Sequence, residues 1–431
     1  MILPPSQPSP RGEGVDHFPL GGNRKGGIKK NREILNLDMS RIKIVLKSGK
    51  EQSLRRLHPW VFSGAISKMS GEPVEGDLVD VFDNHDTFLG TGHYAPSSIA
   101  VRILSFEQTE PDITFFRKKI EKAIAYRKSI GIIGNPQINV YRLIHGEGDG
   151  LPGLIVDYYN GVAVIQMHSV GFYRIRNEIT SILVELLKDE LIAVFDKSEG
   201  TIPHMSGITG VNEFLYGNSG PATVTENGYQ FKIDWTTGQK TGFFIDQRDN
   251  RQLLKKYSEG KSVLNMFGYT GGFSVYAMKN AALVHTVDSS LSAVELANEN
   301  IRLNFGEDKR HESFQVDAFS YLNNIKDKYD VIVLDPPAFA KHNSALANAL
   351  QGYKRLNIKA IEQIRPGGII FTFSCSQVVT KENFRKSVFA AAANTGRSVR
   401  ILHQMSQPPD HPVNIYHPES EYLKGLVIYV E

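Results

Sequence analysis

The chain of 431 residues has a single cysteine, Cys375. One thiol cannot form an internal disulfide, so an oxidising compartment is not indicated and a cytoplasmic setting is expected. No apolar run approaches the roughly 20 residues needed to cross a bilayer, which excludes a membrane helix. The N-terminus lacks the apolar core of a secretory signal. Charge of one sign is also missing: 49 Lys and Arg stand against 46 Asp and Glu, a net charge of +3. That balance says little about partners, because basic residues can still cluster on one face. His58, His145, His403 and His411 are scattered without ligand spacing, so no metal is expected. What is present, 41% apolar and 22% charged residues, is the composition of a globular protein. The length calls for two or three domains.

Residues 1–38 are rich in Pro, Gly, Ser and Lys and have no apolar period, so a disordered tail is expected. Met39 stands just before the first patterned strand and is expected to be the true start. The alternative is a genuine basic tail. Residues 39–111 read as a small β domain, with strands at 42–46, 78–82, 88–94 and 100–104 separated by Gly and Asp turns. Between the first two lies LRRLHPWVF (54–62), where Arg55 and Arg56 can offer phosphate contacts and an aromatic can stack on RNA. Trp60 taken alone reads better as core. From residue 39 to 110 there are 8 basic and 9 acidic residues, so bulk charge does not mark the domain as an RNA binder. Residues 112–225 read as an α+β domain: a helix at 112–130, a strand at 162–167, a helix at 174–187 and a strand at 192–196. Its GEGDGLPG loop (146–153) lacks the Lys and helix of a phosphate loop and is taken as structural.

Residues 226–431 alternate strands and helices, which means a parallel sheet covered on both faces. The organising stretch is SVLNMFGYTGGFSVYA (262–277), a strand, a glycine turn and a helix. That unit opens nucleotide-binding α/β folds, with backbone close to the ligand and a helix N-terminus facing it. Asp288, ending the second strand 20 residues after Gly268, can accept ribose hydroxyls, and Asp317, ending the third, can meet an adenine amine. Either can instead cap a helix. The turn is GYTGG rather than GxGxxG, which disfavours a nicotinamide cofactor. A final strand pair, 398–405 and 424–430, would insert one antiparallel strand, the arrangement of class I methyltransferases.

DPPAF (335–339) puts an acid at a strand end, fixes the backbone with Pro336 and Pro337 and offers Phe339 as a stacking ring. Cys375 ends the neighbouring strand, so it and Asp335 should face one pocket. C5 of a pyrimidine is too poor a nucleophile to accept a methyl group directly. A thiolate adding at C6 makes C5 enamine-like, an acid near N3 stabilises the adduct, and a base must then remove the C5 proton. The other reading of the thiol is a buried apolar cysteine.

From about Met39 to the C-terminus the chain resembles the bacterial 23S rRNA cytosine-C5 methyltransferases, the RlmI-like proteins. The stretches that carry the likeness are LHPWVFSGAI (57–66), YRLIHGEGDGLPGLIVD (141–157), TGQKTGFFIDQRDNR (237–251), VLNMFGYTGGFSVYA (263–277), DPPAF, FSCS (373–376) and DHPVNIYHPESEYLKGL (410–426). The resemblance implies a PUA domain that docks RNA, a middle α+β domain and a Rossmann-like domain for S-adenosylmethionine (SAM), in a homodimer acting on large-subunit rRNA. It implies that Phe267, Gly268, Gly271, Asp288, Asp317 and Asp335 contact SAM or the base. Gln247 and Arg248 would line the cofactor pocket, and Cys375 would be the nucleophile. Other RNA cytosine-C5 methyltransferases use a second Cys beside the DPP-like motif for product release. Here Ala338 and Phe339 follow the prolines, no second Cys exists, and the releasing base is unassigned. The rival readings are N7-guanine methylation, which needs no nucleophile, and a non-catalytic RNA-binding assembly factor.

Overall fold

The computed structural model describes residues 41–203 and 207–431. The expectations for residues 1–38 and for Met39 lie outside the described residues.

The first sheet is built from β1 (Ile42–Leu46), β2 (Trp60–Phe62), β3 (Ile66–Met69), β4 (Leu78–Phe82), β5 (Phe88–Tyr94) and β6 (Ile99–Ser105), with the short helix α1 (Gln52–Arg55) after β1. Its order is β2-β6-β5-β4-β1-β3. Alternating Ile44, Leu46, Val79, Val81, Val101 and Ile103 fill one core. Sequence reading missed β2 and β3. β2 is three residues long and follows a proline, and β3 buries none of its residues fully, so neither shows a strand period.

The second sheet, β11-β10-β9-β8-β7, comprises β7 (Val140–His145), β8 (Leu154–Tyr159), β9 (Val162–Met167), β10 (Ala193–Lys197) and β11 (Asn212–Tyr216). The helix α2 (Ile113–Ser129) begins where the Asp112 carboxylate accepts the Phe115 N–H at 2.8 Å. It packs with α4 (Arg176–Leu187) on one face, burying Phe116, Ile120, Ile179 and Leu183 against Leu143, Val156 and Ile165. The helix expected over 174–187 is broken at Ile175, where the shorter α3 (Val170–Arg174) ends. The opposite face of the sheet carries Val140, Tyr159, Val162, Val164 and Phe195. These pack into the same core as Phe231, Phe243, Leu254 and Phe371 of the C-terminal region. The middle and C-terminal regions therefore share a core.

The hairpin β12 (Thr223–Glu226) and β13 (Tyr229–Lys232) turns at Asn227 and Gly228, both at positive φ, +51° and +81°. After α5 (Arg248–Tyr257) come β14 (Ser262–Met266), α6 (Gly272–Met278), β15 (Leu283–Asp288), α7 (Leu291–Phe305), β16 (His311–Gln315), α8 (Ala318–Leu322), β17 (Val331–Leu334), α9 (Leu346–Gln363), β18 (Gly368–Ser374), α10 (Lys381–Thr395), β19 (Val399–Met405) and β20 (Lys424–Val430). The sheet order is β16-β15-β14-β17-β18-β20-β19. Only β20 runs antiparallel to its neighbours β18 and β19. The order reverses between β14 and β17, and open α/β sheets hold ligands at the C-terminal ends beside that switch.

Buried ions tie the segment before β14 to its surroundings. Arg251 makes a two-pronged bond to Glu226, Nε to Oε1 at 2.8 Å and an amino group to Oε2 at 2.7 Å, with both side chains at most 3% exposed. Tyr276 donates to the same carboxylate at 2.9 Å. Removing one partner leaves the other charge buried and unpaired. Arg251→Ala should therefore cost about 3–5 kcal/mol in urea unfolding. Arg251→Met combined with Glu226→Gln should recover most of that loss.

Candidate active site

The glycine turn follows β14 without slack. Phe267 and Tyr269 both take positive φ, +60° and +44°, a strained choice for residues with a side chain. Gly268 lies flat on β15, and a Cβ there would sit 2.3 Å from Thr286 Cγ2. Gly271, at φ +72°, is the N-cap of α6 and touches Ala297 of α7. Asp288 accepts the Tyr269 N–H at 3.0 Å on one oxygen and the Ser290 N–H at 2.9 Å on the other. Each oxygen keeps a lone pair, so the carboxylate can still take two neighbouring ribose hydroxyls. The turn and Asp288 thus fit the expected SAM. Asp317 caps α8, accepting the Ser320 N–H at 2.9 Å.

At the adjoining strand ends, β17 and β18 pair in parallel with Leu334 opposite Thr372, which sets Asp335 beside Cys375. Cys375 Sγ lies 4.0 Å from the Pro336 carbonyl oxygen. The loops around it are pinned. Lys424 Nζ donates to the Ser376 and Val379 carbonyls at 2.7 and 2.6 Å, and Tyr353 Oη and Ser376 Oγ lie 3.0 Å apart. Phe339 packs on Tyr353 at 4.6 Å between ring centres. Burial, with the nearby Asp246 carboxylate, pushes the Asp335 carboxyl up to about 7 against the opposing effects of Gln247 and Arg251. Burial and the charges of Asp335 and Asp246 push the Cys375 thiol up to about 12, with Lys240 pulling the other way. At rest the sulfur carries its proton.

The third wall is TGQKTGFFIDQRDNR. Tyr269 fastens it to the glycine turn, with its Oη accepting the Gln239 N–H at 3.1 Å and donating to the Gly242 carbonyl at 3.3 Å. Thr241 donates to Asp157 of β8 at 2.6 Å. Gln247, 2% exposed, takes the Asn250 amide at 2.6 Å and bonds Asp335, so it orients that carboxyl. Asp246 and Lys240 were missed by sequence reading, although both lie in the quoted motif. The polar residues of this segment are expected at the C-terminal edge of the sheet, but the sequence does not say which of them face the strand ends.

Arg248, expected to line the cofactor pocket, is 1% exposed and bonds Asp410 at 2.6 Å. The fold uses it as a buried tie. In the first sheet Arg55 is held by Asp83 at 2.6 Å, while Arg56 is exposed. Trp60 bonds Glu147 at 2.9 Å and packs its ring 4.2 Å from that of His417, while Phe62 stays 45% exposed. His58 converges with His417 and with Glu419, 361 residues further along the chain, among the described residues. His58 Nδ1 accepts the Trp60 N–H at 3.2 Å, which leaves Nε2–H facing Glu419 at 3.3 Å. His58 and Glu419 thus join the first sheet to the 410–426 segment, while both ring nitrogens of His417 lack a hydrogen-bond partner among the described residues.

Two outcomes test this geometry. Gly268→Ala should weaken SAM binding in calorimetry by about 10-fold or more, since a clash of this kind costs over 1 kcal/mol. Thr286→Ser, which removes only Cγ2, should restore most of it. Asp335 holds its proton more tightly in the folded state than at its ordinary 3.8, so its contribution to stability is complete below 3.8 and lost as pH rises through about 7. Asp335→Asn should therefore gain about 1–2 kcal/mol over wild type on going from pH 5 to pH 8 in urea unfolding.

Comparison with known proteins agrees with this architecture. The PUA-like domain family matches residues 44–106, and the S-adenosylmethionine-dependent methyltransferase family matches residues 141–426. The ribosomal RNA large subunit methyltransferase I of Shewanella denitrificans is 40% identical over 398 residues, covering 90% of this chain and 99% of the relative. Its namesake in Alteromonas mediterranea is 38% identical over 394 residues, covering 90% and 98%. A putative SAM-dependent methyltransferase structure from Streptococcus mutans superposes with a TM-score of 0.77 at 25% identity, over 90% of this chain and 100% of that one. A putative methyltransferase solved in complex with SAH gives a TM-score of 0.78 at the same identity and coverage. Among the described residues no helix is long and apolar enough to cross a membrane. The strand order, the glycine turn and this likeness over nearly the whole length converge: the chain belongs to the SAM-dependent methyltransferases of the ribosomal RNA large subunit methyltransferase I family.

Proposed function

We propose that the protein methylates C5 of a cytosine in large-subunit rRNA, with Cys375 as the nucleophile. The observation that carries this reading is the pairing of β17 with β18, which brings the chain's one thiol to the carboxyl that follows Leu334. The relatives' printed name supports ribosomal RNA as substrate, and a cytoplasmic setting goes with it.

SAM supplies a methyl group on a positively charged sulfur, and the target carbon must supply the electron pair. Cys375 and Asp335 can prepare that carbon between them. Asp335, poised at about 7, takes the thiol proton and passes it to cytosine N3 as the sulfur adds to C6. The thiol proton ends on N3, a C6–S bond forms, and C5 becomes enamine-like. Gln247 holds Asp335 in place, and Lys240 favours the thiolate. The PUA-like domain, with exposed Arg56 and Phe62, supplies RNA contacts, and Arg55 adds charge beside them. The implied homodimer is supported by the open edge of β19, where Ile401 and Leu402 are each 39% exposed.

One observation favours the N7-guanine reading. A thiol pushed up to about 12 is a poor nucleophile at rest, and N7 needs none. Cys375→Ala separates the two. The variant should lose methyl transfer from labelled SAM to unmodified 23S rRNA by about 1,000-fold or more. Wild type should place the label in 5-methylcytidine. Label in a guanosine, or activity that survives the substitution, would hand the case to N7.

A further inference from the structure

Covalent C5 methylation has a second half. Once C5 carries both a methyl group and its original hydrogen, the RNA stays bonded to the enzyme until a base takes that hydrogen. With one cysteine in the chain, no second thiol can assist release. The groups around Cys375 are nearly all engaged. Lys424 spends its protons on two carbonyls, and Tyr353 is bonded to Ser376. Asp335 is required at N3.

One group is left over. Asp246 sits on the 3₁₀ turn Ile245–Gln247, next to the glutamine that bonds Asp335. Its Oδ2 accepts the Tyr422 hydroxyl at 2.7 Å, while its Oδ1 is shielded from solvent and has no hydrogen-bond partner among the described residues. A shielded carboxylate oxygen without a donor is costly, and folded proteins rarely keep one without a use. The charge of Asp246 also acts on both Asp335 and Cys375, which places it at the same pocket from the third wall.

We infer that Asp246 is the general base that removes the C5 proton and frees the methylated RNA, with Tyr422 as its positioning residue. The inference rests on the C5-cytosine reading. Asp246 Oδ1 takes the proton from C5. The C5–H electron pair becomes the C5=C6 double bond, and the C6–S pair returns to the sulfur as thiolate. The N3 proton goes back to Asp335, so charge and atoms balance. Asp246 then loses its proton to water.

The test uses full-length protein, in vitro transcribed 23S rRNA and methyl-labelled SAM. Asp246→Asn keeps the shape and loses the basicity. It should bind SAM within about twofold of wild type, yet turn over about 100-fold or more slowly, the scale of a lost general base. It should also transfer one methyl per enzyme and hold the label in a denaturation-resistant protein–RNA adduct. Tyr422→Phe keeps the carboxylate and should show the same adduct transiently. Asp246→Ala should trap it too and release it on addition of formate. Release of free 5-methylcytidine RNA by Asp246→Asn at the wild-type rate would overturn the assignment, as would loss of SAM binding or absence of any adduct. Failure of the underlying reading is seen separately: wild type would then form no adduct on 5-fluorocytidine RNA.

Discussion

The structure depends on one buried carboxylate. Asp410 is fully buried, and burial alone would favour its neutral form. The guanidinium of Arg248 at 2.6 Å, together with His411, holds it well below the usual carboxylate range. Its second oxygen accepts the Arg142 N–H of β7 at 3.0 Å, and its carbonyl takes Arg127 of α2 at 2.7 Å. One residue thus joins the middle sheet, the helix that covers it and the first turn of α5. Arg248 directly follows the turn that bears Asp246 and Gln247. Losing either ion leaves the other buried and unpaired, so the arrangement behaves as all or none. The third wall of the site is stiff because a polar lock lies behind it.

That stiffness permits an unfavourable cluster. Asp246, Asp335 and Cys375 crowd together, and the nearby carboxylates raise the proton affinity of Asp335 and of Cys375. In a soft site they would swing into water. Here Gln247, Tyr422 and the pinned Ser376 backbone prevent it. The outcome is a division of labour. The more deeply desolvated Asp335 keeps a proton near neutrality and can pass one on. Asp246, anchored through one oxygen by Tyr422, keeps the other oxygen for accepting one. The resting thiol keeps its proton through the same repulsion.

Much of this was legible in the sequence because period and punctuation report local structure. The strands at 42–46, 78–82, 88–94 and 424–430 appear with the expected bounds, and Asp112 caps its helix where the apolar period begins. The parallel sheet and the juxtaposition of Asp335 with Cys375 follow from alternation and strand ends. Long-range polar partners were not legible. Arg248 reads the same in sequence whether it lines a pocket or pairs with Asp410, because its partner lies 162 residues away. Arg55 and Asp83, Trp60 and Glu147, and His58 and Glu419 are hidden for the same reason. The shared core of the middle and C-terminal regions escaped too, because both faces of β9 are apolar and the pattern does not say what covers each.

The 410–426 segment links these levels. It begins with the Asp410 lock, passes His417 and Glu419 against Trp60 and His58 of the first sheet, and then presents Tyr422 to Asp246 and Lys424 to the Cys375 loop. The first sheet has a core of its own, yet Leu78 and Leu104 reach the core of the middle sheet, His93 packs its ring 5.3 Å from that of Phe172, and Arg174 bonds Asp77 at 2.8 Å. The site's core is continuous with the middle sheet. A load on the first sheet therefore falls on this apolar contact and on the 410–426 strap, and the strap also sets Tyr422. If the first sheet docks RNA as proposed, this one strap joins docking to the Cys375 pocket, because it carries both sets of contacts.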